Sequence, residues 1–443
     1  MRLAWFSPLP PVRSGIAAYS EEVLPVLRRR FEIDVYDEAR AHDFIWKHHQ
    51  RPYDLIIHQL GNSLSHAYQW AYLTRYPGLT LLHDGQLHQS RALHLLQHDR
   101  AADYRAELGF SHPEAPPGLS ELIVSGLGGT LYYLWPMLRT VIAASRAIAV
   151  HDEHLAGTLR ERFPDMAIDV IRMGVRPSSP ASGARTAIRR RHGIPENALV
   201  FACYGRVTGE KRIDAVLRAL ERLSHSRPDV HLLIVGETSS DYDVLAAMPA
   251  VPALRETRVT LTGFVADSAL DDYLAAADVC ICLRWPTAGE TSASWLRCLA
   301  AGKPTIVTGL VQMAHLPRLD PRGWLLLDAD GGPGMPSMPL MNAAQRAVCV
   351  AIDVLDEDRT LQLAMSRLAA DRALREQLGE HARDYWLREH TLERMAGDYS
   401  DLIDRTAGRP APKRRELPLH LMGDGTDLAR RLVDRLGVSV EFL

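Results

Sequence analysis

The chain has 443 residues, which is too long for a single hydrophobic core and predicts two large domains. Its composition, with 47% hydrophobic and 24% charged residues, is typical of an ordinary globular protein. The formal net charge of -3 gives no overall electrostatic reason to bind nucleic acid or an anionic membrane, so any anion must be bound by a local site.

Short apolar runs alternate with longer segments of helical periodicity, a pattern that predicts α/β domains with parallel sheets. In the first half we expect six strands, with helices between them: Arg2–Phe6, Ile33–Tyr36, Asp54–His58, Thr80–His83, Ala147–His151 and Ile168–Arg172. The apolar run Leu131–Val150 is interrupted by Pro136 and Arg139, and is interpreted as a buried helix leading into a strand.

A stretch rich in Pro, Ser, Gly and Ala follows, and the alternation then starts again. The strands predicted there are "ALVFACYG", "HLLIVGE", "RVTLTGF", "DVCICLR", "PTIVTG" and "WLLLDAD". We therefore predict an N-terminal domain at 1–176, a linker at 177–194 and a second domain at 195–378. The chain from 343 to 407 has helical periodicity, and its part at 379–407 is expected to pack back on the N-terminal domain. Residues 408–443 form a tail whose role the sequence does not indicate.

The five cysteines are an odd number without a C-x-x-C pair, which is typical of free thiols in a reducing compartment. Neither a signal peptide nor an apolar run of about 18 residues is evident, so we expect a cytoplasmic protein. A peripheral membrane contact through the aromatic end of Leu131–Val150 is left open. Two further features are interpreted as surface features, the acidic "DAD" at Asp328–Asp330 and the Gly, Pro and Met-rich loop Gly331–Met341.

The loop "YGRVTGEKR" (Tyr204–Arg212) joins a predicted strand to a predicted helix. Backbone N–H groups at such a helix start, together with Arg206 and Lys211, favour binding of a diphosphate. Gly205 allows the backbone to bend closely. The alternative is a solvated basic loop without a ligand, but parallel sheets bind ligands at this end of their strands.

The segment "RWPTAGETSASW" follows another predicted strand at the equivalent end. Glu290 could accept hydrogen bonds from sugar hydroxyls, while N–H groups at the helix start near Ser292 and Ser294 could hold a phosphate. Glu290 could equally be a glutamate that only favours the helix dipole, and this motif alone does not decide between the two.

At the front of the chain, "FSPLPPVRSGIAAYS" runs from a strand through a Pro-rich turn to Ser14 and Gly15. Neither this segment nor "SGLGGT" at Ser125–Thr130 has the G-x-G-x-x-G fingerprint, so a nicotinamide enzyme is not expected. Two further strand ends carry polar clusters that could recognise hydroxyls or handle protons, "IIHQLGNSLSH" with Asn62 and "LLHDGQLH" with His83 and Asp84.

Taken together and in this order, these motifs resemble glycosyltransferase family 4, whose members are retaining enzymes of the GT-B fold. The resemblance covers about residues 1–405, and also includes "VIRMGV", "LTGFVADSALDDYLAAADVCICLR" and "GETSASWLRCLAAGKP". It implies two Rossmann-like doubly wound domains facing a cleft, with a C-terminal helical extension. It also implies transfer of a sugar from a nucleotide-diphosphate sugar to a hydroxyl acceptor, without a metal or another cofactor.

The resemblance also assigns roles to individual residues. Those expected to act in catalysis are Glu290, His83, Arg206 and Lys211. Those expected to bind the donor are Gly15, Gly205, Arg206, Lys211, Gly263, Phe264, Val265, Glu290, Thr291, Ser292, Ser294 and Cys298. Those expected on the acceptor or sugar side are Arg13, Ser14, Asn62, His83 and Asp84.

The chain departs from the family pattern at one position. Family members usually carry two glutamates eight residues apart, and the second one holds the ribose of the nucleotide. Here Glu290 stands at the first position and Cys298 at the second. A thiol does not accept two ribose hydroxyls as a carboxylate does. Two alternatives therefore stay open, a non-catalytic GT-B subunit that binds a partner or glycan, and a nucleotide-sugar epimerase.

Overall fold

The computed structural model describes residues 1–240, 242–247, 258–327, 347–412, 417–423 and 426–437. Its contacts divide the chain into two compact units. The first unit contains Met1–Ile171, Ala288–Thr291 and the chain from Ala396 onward, and the second contains Arg172–Thr287 and Ser292–Met395. The predicted linker at 177–194 therefore lies wholly within the second unit.

The first unit is built on a parallel sheet with the strand order β2-β1-β3-β4-β5-β6. Strands β1, β3, β4 and β5 are buried along their whole length, as expected for apolar strands that helices cover on both faces. In chain order the elements are β1 Arg2–Phe6, α1 Gly15–Leu27, β2 Glu32–Tyr36, α2 Asp43–Gln50, β3 Leu55–Leu60, α3 Gln69–Arg75, β4 Leu79–Leu82, α4 His88–Gln97, α5 Ala101–Ser111, α6 Leu119–Val124, α7 Leu131–Leu134, α8 Arg139–Ala143, β5 Ala147–Val150, α9 Glu153–Arg162 and β6 Ile168–Val170. All six predicted strands are present.

The second unit contains the other sheet, with the order β13-β12-β14-β11-β10-β7-β8-β9. Its strands are parallel except for the pair β12 and β13, which is antiparallel. The elements are α10 Ala184–Arg191, β7 Leu199–Tyr204, α11 Ile213–Ser226, β8 Val230–Val235, α12 Val244–Ala247, β9 Val259–Leu261, α13 Leu270–Ala276, β10 Val279–Cys282, α14 Ala293–Ala300, β11 Thr305–Thr308, β12 Arg318–Asp320, β13 Leu325–Leu327, β14 Cys349–Ile352, α15 Glu357–Ala370 and α16 Arg372–Glu389.

Two sequence interpretations of this unit are corrected. Cys349–Ile352 was predicted to be helical, but it forms the buried strand β14 between β11 and β12. A four-residue apolar run fits either structure, and pairing with β11 decides it here. The predicted linker contains helix α10, in which Ile188 and Arg189 are buried. The Arg189 guanidinium donates to Asp278 and to the backbone carbonyl of Ala276, which anchors the helix.

The C-terminal region completes the fold with three helices: α17 Leu392–Ala407, α18 Leu419–Met422 and α19 Thr426–Arg435. Helix α17 begins in the second unit and passes into the first at Ala396. In the first unit, Leu417 is buried in the core beside Trp70, and His420 Nε2 lies 2.8 Å from Oε1 of the buried Glu107. Part of the tail is therefore an integral part of the first unit.

The region that we considered for a membrane contact is not one helix. Within Leu131–Val150 the structure has the short helices α7 and α8 followed by β5, and Leu134 is 68% exposed. No helix in the described part of the chain has the length and apolarity needed to cross a bilayer. Asp328–Asp330 and Gly331–Met341 lie outside the described residues.

Candidate functional site

The strand order of the second sheet reverses between β7 and β10, which are neighbours in the sheet although β8 and β9 lie between them in the sequence. In doubly wound sheets, ligands bind at the carboxyl ends of the strands at such a switch point. A small cavity lies there, within the second unit. Its lining residues come from the ends of β7 and β10, the loop after β7 and the start of α14: Cys203, Tyr204, Lys211, Ile281, Cys282, Leu283, Arg284, Ser292 and Ser294.

Lys211 is held in the cavity wall by contacts on both sides of its loop. Its ammonium group donates to the backbone carbonyl of Tyr204. The next residue, Arg212, pairs with Glu357 through two bonds of 2.7 and 2.9 Å. On the other side, the N–H of Trp285 donates to the carbonyl of Glu210 at 2.7 Å. These bonds fix the loop that carries Lys211, so its charge is positioned in advance of any ligand.

Gly205 makes the close approach of Lys211 to α14 possible. Its φ of +87° lies in the left-handed region, which side chains disfavour. A Cβ atom at this position would lie 2.7 Å from Oγ of Ser294 and 2.8 Å from Nζ of Lys211. The sequence prediction that a glycine is needed here therefore has a specific reason, since it leaves room for a cation and a hydroxyl at the cavity.

Burial changes the acidity of Lys211. Burial, and to a smaller extent the neighbouring Arg284 guanidinium, lowers the pKa of the ammonium group to about 8, although nearby thiols oppose the change. A cation that has lost its hydration gains more from a ligand that restores an opposite charge. The site is therefore electrostatically suited to an anion.

The start of helix α14 provides the second part of the site. Ser292 is the N-cap, and its hydroxyl accepts a bond of 3.2 Å from the N–H of Trp295. The first backbone N–H groups of a helix have no partner within it, and the positive end of the helix dipole favours an anion beside them. Ser294 lines the cavity from this first turn. Lys211 and the start of α14 therefore line the same cavity in the second unit.

Arg284 belongs to the site although the sequence analysis did not select it. It follows β10 directly, and its backbone N–H donates to Thr308 Oγ1 at 3.0 Å. It lines the same cavity as Lys211. The signal was present in the strand "DVCICLR", which ends in a cation at the switch point. The position of this residue after a strand could have selected it just as the loop after β7 selected Lys211.

Arg206 has a different position. Its side chain is exposed, and Nη2 donates to Ser239 Oγ at 3.2 Å, outside the lining of the cavity. Three of the residues predicted to bind the donor, Gly263, Phe264 and Val265, follow β9. Gly263 has a φ of +68°, Phe264 is 52% exposed, and Val265 is half-buried against the core. Their roles in donor binding stay predictions.

Cys298 does not line the cavity. Its side chain is fully buried in the core around Tyr204, and its Sγ lies 3.9 Å from Sγ of Cys282. Burial, together with the neighbouring thiols Cys280 and Cys282, raises the pKa of the Cys298 thiol well above its usual value. The sequence placed Cys298 at the ribose-binding position of the family, but here its sulfur has no surface that a ligand could touch.

Glu290 and Thr291 are grouped with the first unit and not with the Lys211 cavity. They lie in the loop Ala288–Thr291, which contacts the first unit through the N–H of Gly85, at 2.5 Å from the carbonyl oxygen of Ala288. The Glu290 carboxylate accepts a bond of 2.8 Å from the N–H of Ala288, and both Glu290 and Thr291 are half-buried. The catalytic role of Glu290 stays a prediction.

His83 lies in a buried chain of hydrogen-bonding groups within the first unit. Its Nδ1 is 3.0 Å from His151 Nε2, and its Nε2 is 2.8 Å from Oε1 of Gln59. Gln59 also contacts the hydroxyl of Tyr399 on α17, and Tyr19 donates to Tyr399 at 2.9 Å. Both ring nitrogens of His83 are therefore engaged by the protein itself.

The hydrogen bonds of this buried network determine which nitrogen of each histidine carries a proton. His151 Nδ1 lies 2.8 Å from the carbonyl of Ile171 and must donate to it. His151 Nε2 is then an acceptor if the ring is neutral, so His83 must donate from Nδ1. Burial and His151 lower the pKa of His83 well below its usual value, so that His83 is neutral and its Nε2 accepts. This assignment requires the Gln59 amide to be flipped by 180° from the orientation given above, so that its nitrogen donates to His83 and its oxygen accepts from Tyr399.

We expect His83 to be neutral with its proton on Nδ1 across pH 5.5 to 8, whereas free imidazole protonates over this range (about pH 6.5). Nitrogen-15 NMR of histidine-labelled protein would show this tautomer, with signals assigned through the His83→Gln and His151→Gln variants. A proton on Nε2, or protonation of the ring near pH 6.5, would contradict the proposed arrangement.

Asn62 and Asp84 lie together at the carboxyl ends of β3 and β4. The N–H of Asn62 lies 2.5 Å from Oδ2 of Asp84, and its side-chain oxygen accepts from the N–H of Ser90 at 2.9 Å. These contacts support the local loops. The predicted proximity of the two strand ends is therefore observed, although the predicted sugar contacts are untested.

The residues before α1 are near the surface. Ser14 is the N-cap, with its hydroxyl accepting from the N–H of Ala17 at 3.0 Å, and Arg13 is exposed. Apart from the adjacent residues and the backbone of α1 itself, no atom of the described chain lies within 4 Å of the place where a Cβ atom of Gly15 would be. The protein itself does not require glycine there, which leaves its predicted approach to a ligand as an untested explanation.

The chain is similar to known glycosyltransferases in sequence. The family model described as Glycosyl transferases group 1 matches residues 198–331, which include the loop of Lys211 and helix α14. D-inositol 3-phosphate glycosyltransferase of Stackebrandtia nassauensis is 27% identical over 286 residues. The match covers 61% of this chain and 57% of the relative, so the chain spans little more than half the length of this curated relative.

Solved structures share the fold. Sucrose-phosphate synthase from Thermosynechococcus elongatus has a TM-score of 0.60 at 14% identity, covering 91% of this chain and 98% of that chain. Anabaena Alr3699/HepE, solved in complex with UDP-glucose, has a TM-score of 0.57 at 12% identity, covering 91% of this chain and 100% of that chain.

These similarities define a protein of the GT-B glycosyltransferase fold. The match to the model of the group 1 glycosyl transferases, at residues 198–331, falls mostly within the second unit. The predicted fold class of two Rossmann-like α/β domains with C-terminal helices is thereby confirmed, whereas membership of family 4 stays a prediction.

Proposed function

We propose that the protein is a retaining glycosyltransferase that transfers a sugar from a nucleotide-diphosphate sugar to a hydroxyl acceptor. One observation carries the proposal: Lys211, Arg284 and the start of α14 line one cavity at the switch point of the second sheet. The group 1 family match covers the same residues, and structural neighbours include a protein solved with UDP-glucose.

In this proposal the diphosphate of the donor binds at the cavity. The Lys211 ammonium and the Arg284 guanidinium offset the charge that develops on the leaving diphosphate, and the first N–H groups of α14 add hydrogen bonds. Such fixed donors need no reorganisation during the reaction. They could replace the divalent cation on which other transferases rely, so we propose a metal-independent reaction.

The reaction breaks the bond between the anomeric carbon and the diphosphate oxygen and forms a bond to the acceptor oxygen. We propose that the acceptor attacks on the face from which the diphosphate departs, and that its hydroxyl proton passes to the leaving phosphate. Retention follows from this geometry. Glu290 would bind sugar hydroxyls, consistent with its carboxylate chemistry. The buried contacts of His83 favour a positioning role for its ring over direct proton transfer.

A donor panel tests the proposal. Calorimetry with uridine, guanosine and adenosine diphosphate sugars should detect binding of at least one of them, and mass spectrometry with a panel of sugar and lipid-linked acceptors should detect a glycosylated product. Glu290→Ala should retain diphosphate binding but lose transfer. Glu153→Ala, which also removes a carboxylate from the first unit but from a residue with no predicted role in the site, is the control.

The two alternatives give different results in the same experiment. A non-catalytic subunit would bind none of the donors, and Cys298 at the ribose position is the feature that favours it. An epimerase would isomerise its donor without any acceptor. Either outcome would overturn the transferase proposal.

A further inference from the structure

Helix α19, Thr426–Arg435, has an apolar side that little of the described chain covers. Leu432 is 51% exposed, and Leu436, which follows the helix directly, is 79% exposed. The N–H of Leu436 donates to the carbonyl of Val433 at 2.9 Å, so the helical turn continues to this leucine. Large apolar side chains exposed together indicate an interaction surface.

The apolar residues form a stripe along one side of α19. At about 100° per residue, Ala429, Leu432, Val433 and Leu436 fall within a sector of about 100°. Val433 and Ala429 are half-buried, so the two leucines form the accessible part of the stripe. A stripe of this width is typical of a helix that lies against an apolar phase.

The opposite side of α19 is polar and mainly cationic. It carries Arg430, Arg431 and Arg435, all exposed, together with Asp434. Over the helix, three arginines stand against two aspartates, whereas the whole chain has a net charge of -3. The helix therefore has a small positive net charge of +1 (three arginines less two aspartates) beside the exposed leucines, which suits a surface that is both apolar and anionic.

The length of the helix favours a lipid surface over a second copy of the chain. A coiled coil needs an apolar pattern repeated over several heptads, but α19 has ten residues. A single amphipathic helix can lie in the headgroup region of a bilayer, with its leucines among the acyl chains and its arginines at the lipid phosphates.

We propose that α19 is a peripheral docking helix for anionic lipid surfaces, with Leu432 and Leu436 as the inserting residues. This proposal goes beyond sugar transfer and does not depend on it, because lipid binding can be measured without a donor.

The first test separates insertion from charge. Full-length protein is mixed with vesicles of phosphatidylcholine containing phosphatidylglycerol, and the bound fraction is measured by flotation. The charge-neutral double variant Leu432→Gln, Leu436→Gln should bind at least about tenfold more weakly, because it loses the buried apolar area. The matched control is Leu387→Gln, Leu355→Gln, which changes leucines that are 51% and 93% exposed in the second unit. The control should bind as the unchanged protein does.

The second test addresses the arginines. Binding should weaken severalfold when the ionic strength rises from about 0.05 M to about 0.5 M, and vesicles of phosphatidylcholine alone should bind much less protein. Arg430→Gln, Arg431→Gln and Arg435→Gln combined should remove this preference for anionic vesicles. The melting temperature of every variant is measured alongside, so that a loss of folding is recognised.

Three results would overturn the proposal. The first is equal binding of the leucine double variant and the unchanged protein. The second is loss of binding only in Leu134→Gln, which would assign the contact to the exposed end of α7. The third is a dimer in solution, measured by light scattering, that the leucine double variant converts to a monomer.

Discussion

Lys211→Met is expected to lower the turnover of a nucleotide-diphosphate sugar by about 10²-fold to 10³-fold, the usual effect of removing one preorganised donor. The substitution keeps most of the volume of the side chain but removes its charge from the cavity that Arg284 and α14 also line. Steady-state kinetics gives the loss of turnover, and calorimetry with the nucleoside diphosphate gives the loss of affinity.

The matched control is Lys303→Met in the same unit. Lys303 also donates to a backbone carbonyl, that of Ala277 at 2.8 Å, and burial also lowers its pKa, but it does not line the cavity. Both variants lose a comparable local contact, so only the loss at Lys211 should extend to the diphosphate. Equal losses of activity would show that Lys211 acts through general stability.

The pH dependence of binding follows from the same residue. The pKa of Lys211 is about 8 in the protein without ligand, below the ordinary value of 10.5. Diphosphate affinity should therefore fall as the pH rises through about 8, and this fall should be absent in Lys211→Met. The free energy of unfolding changes in the opposite direction. Between pH 8 and 10.5 the unfolded chain keeps the proton on Lys211 while the folded protein loses it. The cost of burying this residue therefore falls, and the folded protein becomes more stable, as the pH rises through that window.

Gly205→Ala is expected to lower turnover by about 10²-fold, as misplacement of a catalytic group by about 1 Å does. The new methyl group would lie 2.7 Å from Oγ of Ser294 and 2.8 Å from Nζ of Lys211, so one or both must move. The left-handed backbone adds a folding cost of about 1–2 kcal/mol, since alanine disfavours this conformation.

Gly193→Ala separates these two effects. Gly193 has a φ of +65°, but apart from its two neighbours in the chain no atom among the described residues lies within 4 Å of its Cβ position. Both variants should lose similar stability in thermal unfolding, and only Gly205→Ala should lose turnover and diphosphate affinity. Similar turnover in both variants would refute the importance of the space beside Gly205.

The sequence was sufficient to predict the strands that build this site. The runs "ALVFACYG" and "DVCICLR" correspond to β7 and β10, because buried parallel strands are continuous apolar segments. The sequence did not predict that β7 and β10 are neighbours, because the strand order depends on hydrogen bonds between segments that are distant in the chain. Arg284 could have been selected from its position directly after a predicted strand, but that it lines one cavity with Lys211 depends on which strand lies beside β10.

Side-chain direction was the second property that the sequence did not determine. Ser294 and Cys298 are four residues apart on α14 and are expected to share a side of the helix. Ser294 lines the cavity, but Cys298, one turn further along, packs against the core with Tyr204. The depth of a cavity beside a helix depends on how other elements pack against that helix. The spacing of residues in the sequence does not determine this depth.

Because the Cys298 thiol is buried in the core, it does not help to select which ligand the cavity binds. Among the described residues, those that line the cavity include two cations, Lys211 and Arg284, and no acid. Such a lining attracts inorganic phosphate and many phosphorylated compounds, as well as the sugar donor of the proposed function. Discrimination among these anions must therefore come from the parts of the true substrate that extend beyond its phosphates.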